Sequence, residues 1–329
     1  MAEDIFVPKS SAEDALVGPL HTVTYVTSDK STVEQIFTQG YGLARSGWMA
    51  PTPDQQRYLG FEGTGDIEIC AFNKVGEGAN IQTRVIYVNE GAPEVRPAYD
   101  GLYTGGATLS FPMHDMRAHE KVMAGIGVHS TIGVKEMEFT SPAGETYISA
   151  EIVYKAPEHV FVMGVTRPDI FVPTGPIDPA TGVGGPSYSA RCMNVADETV
   201  DFFRDVLGYE IRRDAQFEVG ERSALLMPEG TKERFVQGFA PGASTGYVVL
   251  MHHGEATKHS PAPGFGPPNR GIGMWSFAAP DVAAVYDRAK AFGLSDVTAP
   301  TVMQSPFLPE TKTLLMKDPD GFPIEVFEA

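Results

Sequence analysis

What the sequence has little of narrows the field first. It holds two cysteines in 329 residues, Cys70 and Cys192. That is too few for a disulfide framework, and no zinc-ligand spacing is present. Both sit in apolar runs, where a thiol behaves as a small hydrophobe. Basic residues are scarce, with 25 Lys and Arg against 42 Asp and Glu, for a formal charge of −17. A field of that sign repels phosphate backbones and anionic lipid heads, so neither nucleic acid nor a membrane surface is expected as a partner. No apolar run approaches the roughly 20 residues needed to cross a bilayer. Met1 to Leu16 is polar and acidic, without the basic flank and apolar stretch of a leader. A reduced, cytoplasmic compartment is the expectation.

What is present is ordinary globular composition, 42% hydrophobic and 20% charged. The chain is too long for one compact core and suits two domains. Pro168, Pro173, Pro176, Pro179 and Pro186, with Gly175, Gly182, Gly184 and Gly185, crowd the stretch 167–186 near the midpoint. Proline removes backbone donors and glycine adds chain entropy, so this stretch reads as a linker. The expected division is a tail at 1–17, a first domain at 18–166, the linker at 167–186 and a second domain at 187–329.

Internal similarity sets the fold class. Thr22-Val23-Thr24-Tyr25-Val26-Thr27 alternates and is β-branched, as a strand should be. The helix after it carries an apolar stripe of Val33, Ile36 and Phe37. Beyond the linker a strand at Tyr188 leads to a helix with Val200, Phe203 and Val206 as its stripe. Laying Phe37 on Phe203 also lays Gly42 on Gly208, a helix-ending glycine in each case. Two more strand–helix starts, at Ala107 to Phe111 and at Met274 to Phe277, are followed by short strand signals. The result is an α+β chain of four βαβββ modules. Paired modules curl into half-open barrels, giving two domains that each enclose a small-molecule pocket.

Two motifs carry a resemblance. Asp318-Pro319-Asp320-Gly321-Phe322-Pro323-Ile324-Glu325-Val326-Phe327 is similar to the closing turn and strand of the vicinal oxygen chelate superfamily. That superfamily holds glyoxalase I, the bleomycin-resistance proteins and the extradiol dioxygenases. Val200-Asp201-Phe202-Phe203-Arg204-Asp205-Val206-Leu207-Gly208-Tyr209 resembles its first helix, and the four-module layout extends the likeness over most of 18–329. The resemblance implies a divalent metal (Fe, Mn, Zn or Ni) at a barrel centre and no organic cofactor. Ligands come from the first and last strands of a module, with open positions where two neighbouring substrate oxygens chelate.

Carried onto this chain, the resemblance assigns His21, Glu68 and Glu325 as metal ligands, provided modules one and four share a barrel. The first-strand places of modules three and four read Tyr188 and Met274, where a ring-cleaving dioxygenase would have histidines. No metal is therefore expected in a site made from those two modules alone, and weight moves from ring cleavage towards lyase or isomerase chemistry. Tyr188 and Glu325 are the expected catalytic groups, and Arg191, Met274, Trp275 and His253 the expected substrate contacts. The implied function is an enzyme acting on an oxygenated aromatic or carbonyl metabolite, and a homodimer is compatible with it. The alternative is a metal-free, ligand-sequestering protein of the bleomycin-resistance kind.

Each residue also has a plainer reading. His21 can be a strand-edge histidine, and Glu68 and Glu325 can face solvent from a one-sided sheet. Tyr188 and Trp275 can be core aromatics. His114 and His119 flank a helix start and are expected in solvent. Asp318 and Asp320 belong to a turn and receive no chemistry.

Overall fold

The computed structural model describes residues 5–61, 65–140, 146–167, 174–304 and 310–329. Module one contains β1 (Leu20–Thr27), α1 (Lys30–Gln35), β2 (Ala44–Arg45), α2 (Pro53–Tyr58), β3 (Glu68–Asn73) and β4 (Gln82–Tyr87). Module two contains β5 (Gly105–Pro112), α3 (Met116–Gly125), β6 (Lys135–Thr140), β7 (Thr146–Lys155) and β8 (Phe161–Thr166). Module three contains β9 (Tyr188–Cys192), α4 (Ala196–Asp201), β10 (Glu210–Glu218), β11 (Lys232–Phe239) and β12 (Tyr247–His252). Module four contains β13 (Gly271–Ala279), α5 (Val282–Phe292), β14 (Thr301–Met303), β15 (Thr311–Lys317) and β16 (Pro323–Glu328).

Local chemistry marks the helix starts. The side chains of Asp29, Asp115 and Asp281 accept from the backbone N–H of Thr32, Ala118 and Ala283, capping α1, α3 and α5. Gly42 and Gly208 adopt the left-handed conformation after the first helices of modules one and three, with φ of +65° and +72°. His119 does not face solvent as expected. It is 5% exposed, accepting from the Tyr154 hydroxyl at 2.9 Å and donating to the Gly40 carbonyl at 3.0 Å. No helix among the described residues is long and apolar enough to cross a membrane.

Within each module the first strand runs parallel to the last: β1 to β4, β5 to β8, β9 to β12 and β13 to β16. Modules join through their first strands, which pair antiparallel, β1 with β13 and β5 with β9. Two eight-stranded curled sheets result, in the orders β2-β3-β4-β1-β13-β16-β15-β14 and β6-β7-β8-β5-β9-β12-β11-β10. Module one thus shares a barrel with module four, and module two with module three. The pairing of modules one and four is the one that a joint site of His21, Glu68 and Glu325 required, and each barrel crosses the expected division into 18–166 and 187–329.

The reason lies in the connection. β8 ends beside the end of β5, and the chain re-enters there. The N–H groups of Gly184 and Ser187 donate to the carbonyls of Pro112 and Ser110, at 2.9 and 2.7 Å. The stretch expected as a linker is therefore docked along its described part, 174–186, and delivers β9 directly against β5. Residues 168–173 of it lie outside the described residues. Modules one and four are left to pair with each other.

The two sheets touch where Ile272 of β13 meets Gly106 of β5. A Cβ at Gly106 would lie 2.4 Å from Ile272, so only glycine allows the approach. Trp275 is fully buried between the barrels, its ring against Phe203 and Phe322, and its indole N–H donates to Ser189 Oγ at 3.0 Å.

This exchange of partners is testable by cutting the chain. Fragments 1–167 and 174–329 each leave both sheets half built, so either alone will show no cooperative thermal transition and no near-ultraviolet circular dichroism. Mixed, they will recover both. A fragment that unfolds cooperatively by itself would refute the pairing.

Candidate functional site

The strand registers locate the centre of the barrel formed by modules one and four. Thr22, Val23 and Thr24 pair with Ser276, Trp275 and Met274, so a two-fold through the Val23–Trp275 pair exchanges Thr24 with Ser276. Arg84 lies beside Thr24 on β4, and Glu325 beside Ser276 on β16. Arg84 and Glu325 are therefore symmetry mates, at the last-strand places of their modules. They close on each other: Arg84 Nη2 is 3.0 Å from Glu325 Oε2, and Ser276 Oγ donates to the same oxygen at 2.6 Å. Arg84 Nε also donates to Thr24 Oγ1 at 3.0 Å. The guanidinium fills the barrel centre, where a shared cation would have to sit.

The expected trio of His21, Glu68 and Glu325 does not assemble. Glu68 is on β3, the third strand of module one, because the last strand is β4. Its carboxylate is partly exposed and pairs with Lys30. His21 heads β1 but packs edge-on against Phe327, ring centres 4.9 Å apart, with Nδ1 2.8 Å from Thr22 Oγ1. Burial lowers the pKa of its imidazole, with Glu325 opposing that shift and Arg84 adding to it. Met274, expected as a substrate contact, is 1% exposed and packs with Val26, Leu59, Phe61, Ile69 and Ile86, which fill the concave side. These residues do not fit a divalent metal, since a fixed cation already satisfies the one buried carboxylate. Among the described residues, no three His, Cys, Asp or Glu side chains gather around a common point.

The barrel of modules two and three differs at the same places. Thr108, Leu109 and Ser110 pair with Ala190, Ser189 and Tyr188, and Ser110 and Ala190 lie beside Met163 and Val249 on the last strands. Two apolar side chains stand where the other barrel has Arg84 and Glu325, and the centre stays open. It forms a cavity of about 350 Å³.

Tyr188 and Tyr247 stack along one wall and Phe239 stacks behind Tyr247, each pair with ring centres 4.6 Å apart. Burial pushes the Tyr188 phenol up to about 12, so it is held as the neutral hydroxyl. Thr108 Oγ1, Gln237 Oε1 and the Tyr247 hydroxyl line the cavity and are buried without a hydrogen-bond partner. Arg167 adds an unpartnered Nη1 near the Tyr247 hydroxyl, its guanidinium 4.3 Å from the Phe6 ring. Such orphans are uncommon in folded proteins.

Glu151 of β7 also faces the cavity. Burial raises its carboxyl to about 7, against the pull of Lys135, and the nearby Glu233 raises it further. Glu233 accepts from His253 Nε2–H at 3.0 Å. The Cys192 thiol lies 3.3 Å from Nδ1 of the same ring. Burial pushes that thiol up to about 12, so it is a poor nucleophile.

Of the expected substrate and catalytic residues, Tyr188 lines this cavity. Arg191 does not: it is fully buried and paired with Asp318 and with Asp320, the latter at 3.1 Å. Trp275 packs between the barrels, His253 is 3% exposed behind Glu233, and Glu325 belongs to the other centre. Glu151, Glu233, Gln237, Tyr247 and Arg167 escaped the sequence reading. The one signal for them was polar residues at alternating places, as in Ser149 and Glu151, which also describes a solvated strand.

Residues 188–326 match the sequence profile of the Glyoxalase/Bleomycin resistance protein/Dioxygenase superfamily. A glyoxalase I mutant from Zea mays is similar in structure, with 16% identity, TM-score 0.63, and 96% of this chain and 94% of that one covered. A putative dioxygenase from Bacillus subtilis strain 168 is similar at 14% identity and TM-score 0.58, with 95% and 86% covered. At these identities the likeness speaks for the fold. No curated protein sequence matches the chain.

The closed centre predicts a stability pattern. Arg84→Ala leaves Glu325 buried without its cation and should cost about 3–5 kcal/mol in urea unfolding. Pairing Arg84→Met with Glu325→Leu should recover most of that loss. Equal losses in the single and double variants would mean that the ion pair is not what closes the centre.

Proposed function

We propose that the chain, whose residues 188–326 match the Glyoxalase/Bleomycin resistance protein/Dioxygenase superfamily, takes up a small aromatic molecule in the cavity of modules two and three, without a divalent metal. The observation that carries this reading is the contrast between the two centres. One is closed by Arg84 and Glu325, while the other is an open cavity with an aromatic wall and unpartnered polar atoms. Apolar walls with a few placed polar groups are what a small-molecule site presents. Metal chelation by substrate oxygens has no donor set among the described residues, so recognition falls to the chain's own side chains.

Glu151 supports a second reading, acid–base catalysis of the lyase or isomerase type on the bound molecule. A carboxyl held near neutrality can both give and take a proton at working pH. Incubation of a bound ligand in deuterated buffer separates the readings. Deuterium entering a carbon position in the native protein but not in Glu151→Gln marks an enzyme, and no exchange marks sequestration.

The binding reading itself is tested with 2-naphthol, whose fluorescence reports transfer out of water. Protein purified without chelator should carry no stoichiometric divalent ion and should bind the probe. Val249→Trp, which fills the cavity from its floor, should abolish binding while near-ultraviolet circular dichroism stays native. Binding unaffected by Val249→Trp would place the site elsewhere.

A further inference from the structure

The cavity's polar groups are sorted in space, and that sorting names a ligand class. At one end the half-buried Arg167 guanidinium lies against the Tyr247 hydroxyl and interacts with it, and its buried Nη1 makes no further hydrogen bond. At the other, Glu151 and Glu233 are close enough for the charge on one to be felt by the other. Tyr188 lies between, within reach of both Arg167 and Glu151, stacked on the Tyr247 ring. Its flat face sets the plane of whatever lies along it.

Resting on the binding reading above, we propose that the cavity selects a flat hydroxylated aromatic acid. An anionic or carbonyl oxygen of the ligand is held by Arg167 and Tyr247, and a ring hydroxyl lies between Glu151 and Glu233. The anionic end follows from Arg167: a guanidinium has only donors, and a buried one without an acceptor is costly until a ligand supplies it. The hydroxyl end follows from the unequal carboxyl groups. Glu233 already accepts from the His253 N–H, which sets it as the acceptor of the two. Glu151 holds its proton up to about pH 7. A hydroxyl between the two accepts from the Glu151 carboxyl and donates to the Glu233 carboxylate, so every proton has a place. Gln237 Oε1, unpartnered in the same wall, can accept from a second ring hydroxyl.

This arrangement ties affinity to pH. The charged groups that share the cavity with Glu151 are Lys135, Arg167, Arg213, Glu218 and Glu233, together with the hydroxyls of Tyr188 and Tyr247. Below about pH 7 Glu151 is protonated and the relay is complete. As pH rises through that value its proton is lost, two carboxylates face one hydroxyl proton, and affinity falls. The carboxylate and naphthol groups of the probes below hold their charge between about pH 5.5 and 8, so the change is the protein's.

The test compares 6-hydroxy-2-naphthoate with 2-naphthoate and 2-naphthol on the unaltered protein, by fluorescence titration at pH 6. The two-ended probe should bind about tenfold more tightly than either truncated one, as expected for one hydrogen bond to a charged group at each end. Its affinity should fall as pH rises from 6 to 8, while 2-naphthoate shows a flat profile. Glu151→Gln, which donates at every pH, should flatten the profile for 6-hydroxy-2-naphthoate, and Arg167→Met should remove its advantage over 2-naphthol. Equal affinities for the three probes, or an unchanged pH slope in Glu151→Gln, overturn the assignment and leave the cavity reading standing. If no probe binds, both fail. The three-probe comparison needs no variant, so it decides even if a substitution prevents folding.

Discussion

Everything in this molecule is referred to the two seams where first strands meet antiparallel. A βαβββ module has one free edge on its first strand and cannot bury its concave face alone, so it needs a second module against that edge. Placing β9 against β5 fixes one seam, and β1 against β13 follows for lack of another partner. Each seam runs down the middle of a curled sheet, so residues beside its centre converge inside the barrel. Four side chains from the seam and the flanking last strands therefore decide whether that interior is closed or open.

The two seams have reached opposite solutions. In one, the last-strand places hold opposite charges, Arg84 and Glu325, whose hydrogen bonds include Thr24 and Ser276. A buried carboxylate is costly unless paired, and here the pair comes from the symmetry-related module, so the centre is satisfied from within. In the other, Met163 and Val249 carry no charge, the Met163 sulfur accepts from the Tyr188 hydroxyl at 3.8 Å, and the charged groups come from other lining residues. Apolar side chains at the floor leave a cavity of about 350 Å³ there, while the ion pair occupies the same places in the other barrel. Unpartnered groups such as Gln237 Oε1 and the Tyr247 hydroxyl are then left facing empty space. A protein need not keep such groups unless something else completes them, which is why the second barrel is the one to read for function.

Much of the fold was legible because modules repeat. Strand starts, helix stripes and the left-handed glycines Gly42 and Gly208 recur at matching places, and local patterning fixes each of them. The site was far less legible, for two physical reasons. Side-chain direction alternates every residue along a strand, so a slip of one place changes the face. The register sets Thr22 and Thr24 beside the Val23–Trp275 centre of the seam, while His21 falls at the irregularity between Leu20 and Thr22. Strand order is hidden too: β2 is two residues long, with α2 following it, so nothing local marks the Glu68 strand as the third of its module and not the last. The second reason is that charged partners come from distant modules. Nothing in the sequence near Glu325 announces Arg84, and nothing near Arg191 announces Asp318.

That last pair shows how the closed barrel serves the open one. Along β9, Tyr188 and Ala190 face the cavity while Ser189 and Arg191 face module four, as alternation requires. Arg191 is gripped by Asp318 and Asp320 at the turn before β16, and Ser189 accepts from the Trp275 indole. Burial nevertheless pushes the Asp318 carboxyl up to about 6, Arg191 opposing it, so the grip is made at a real desolvation cost. The strand that presents Tyr188 to a ligand is thus fixed from behind by residues of the other barrel. A rigid back and an open front are what a preorganised site needs, because the entropy of holding the wall in place has been met in folding and not at binding.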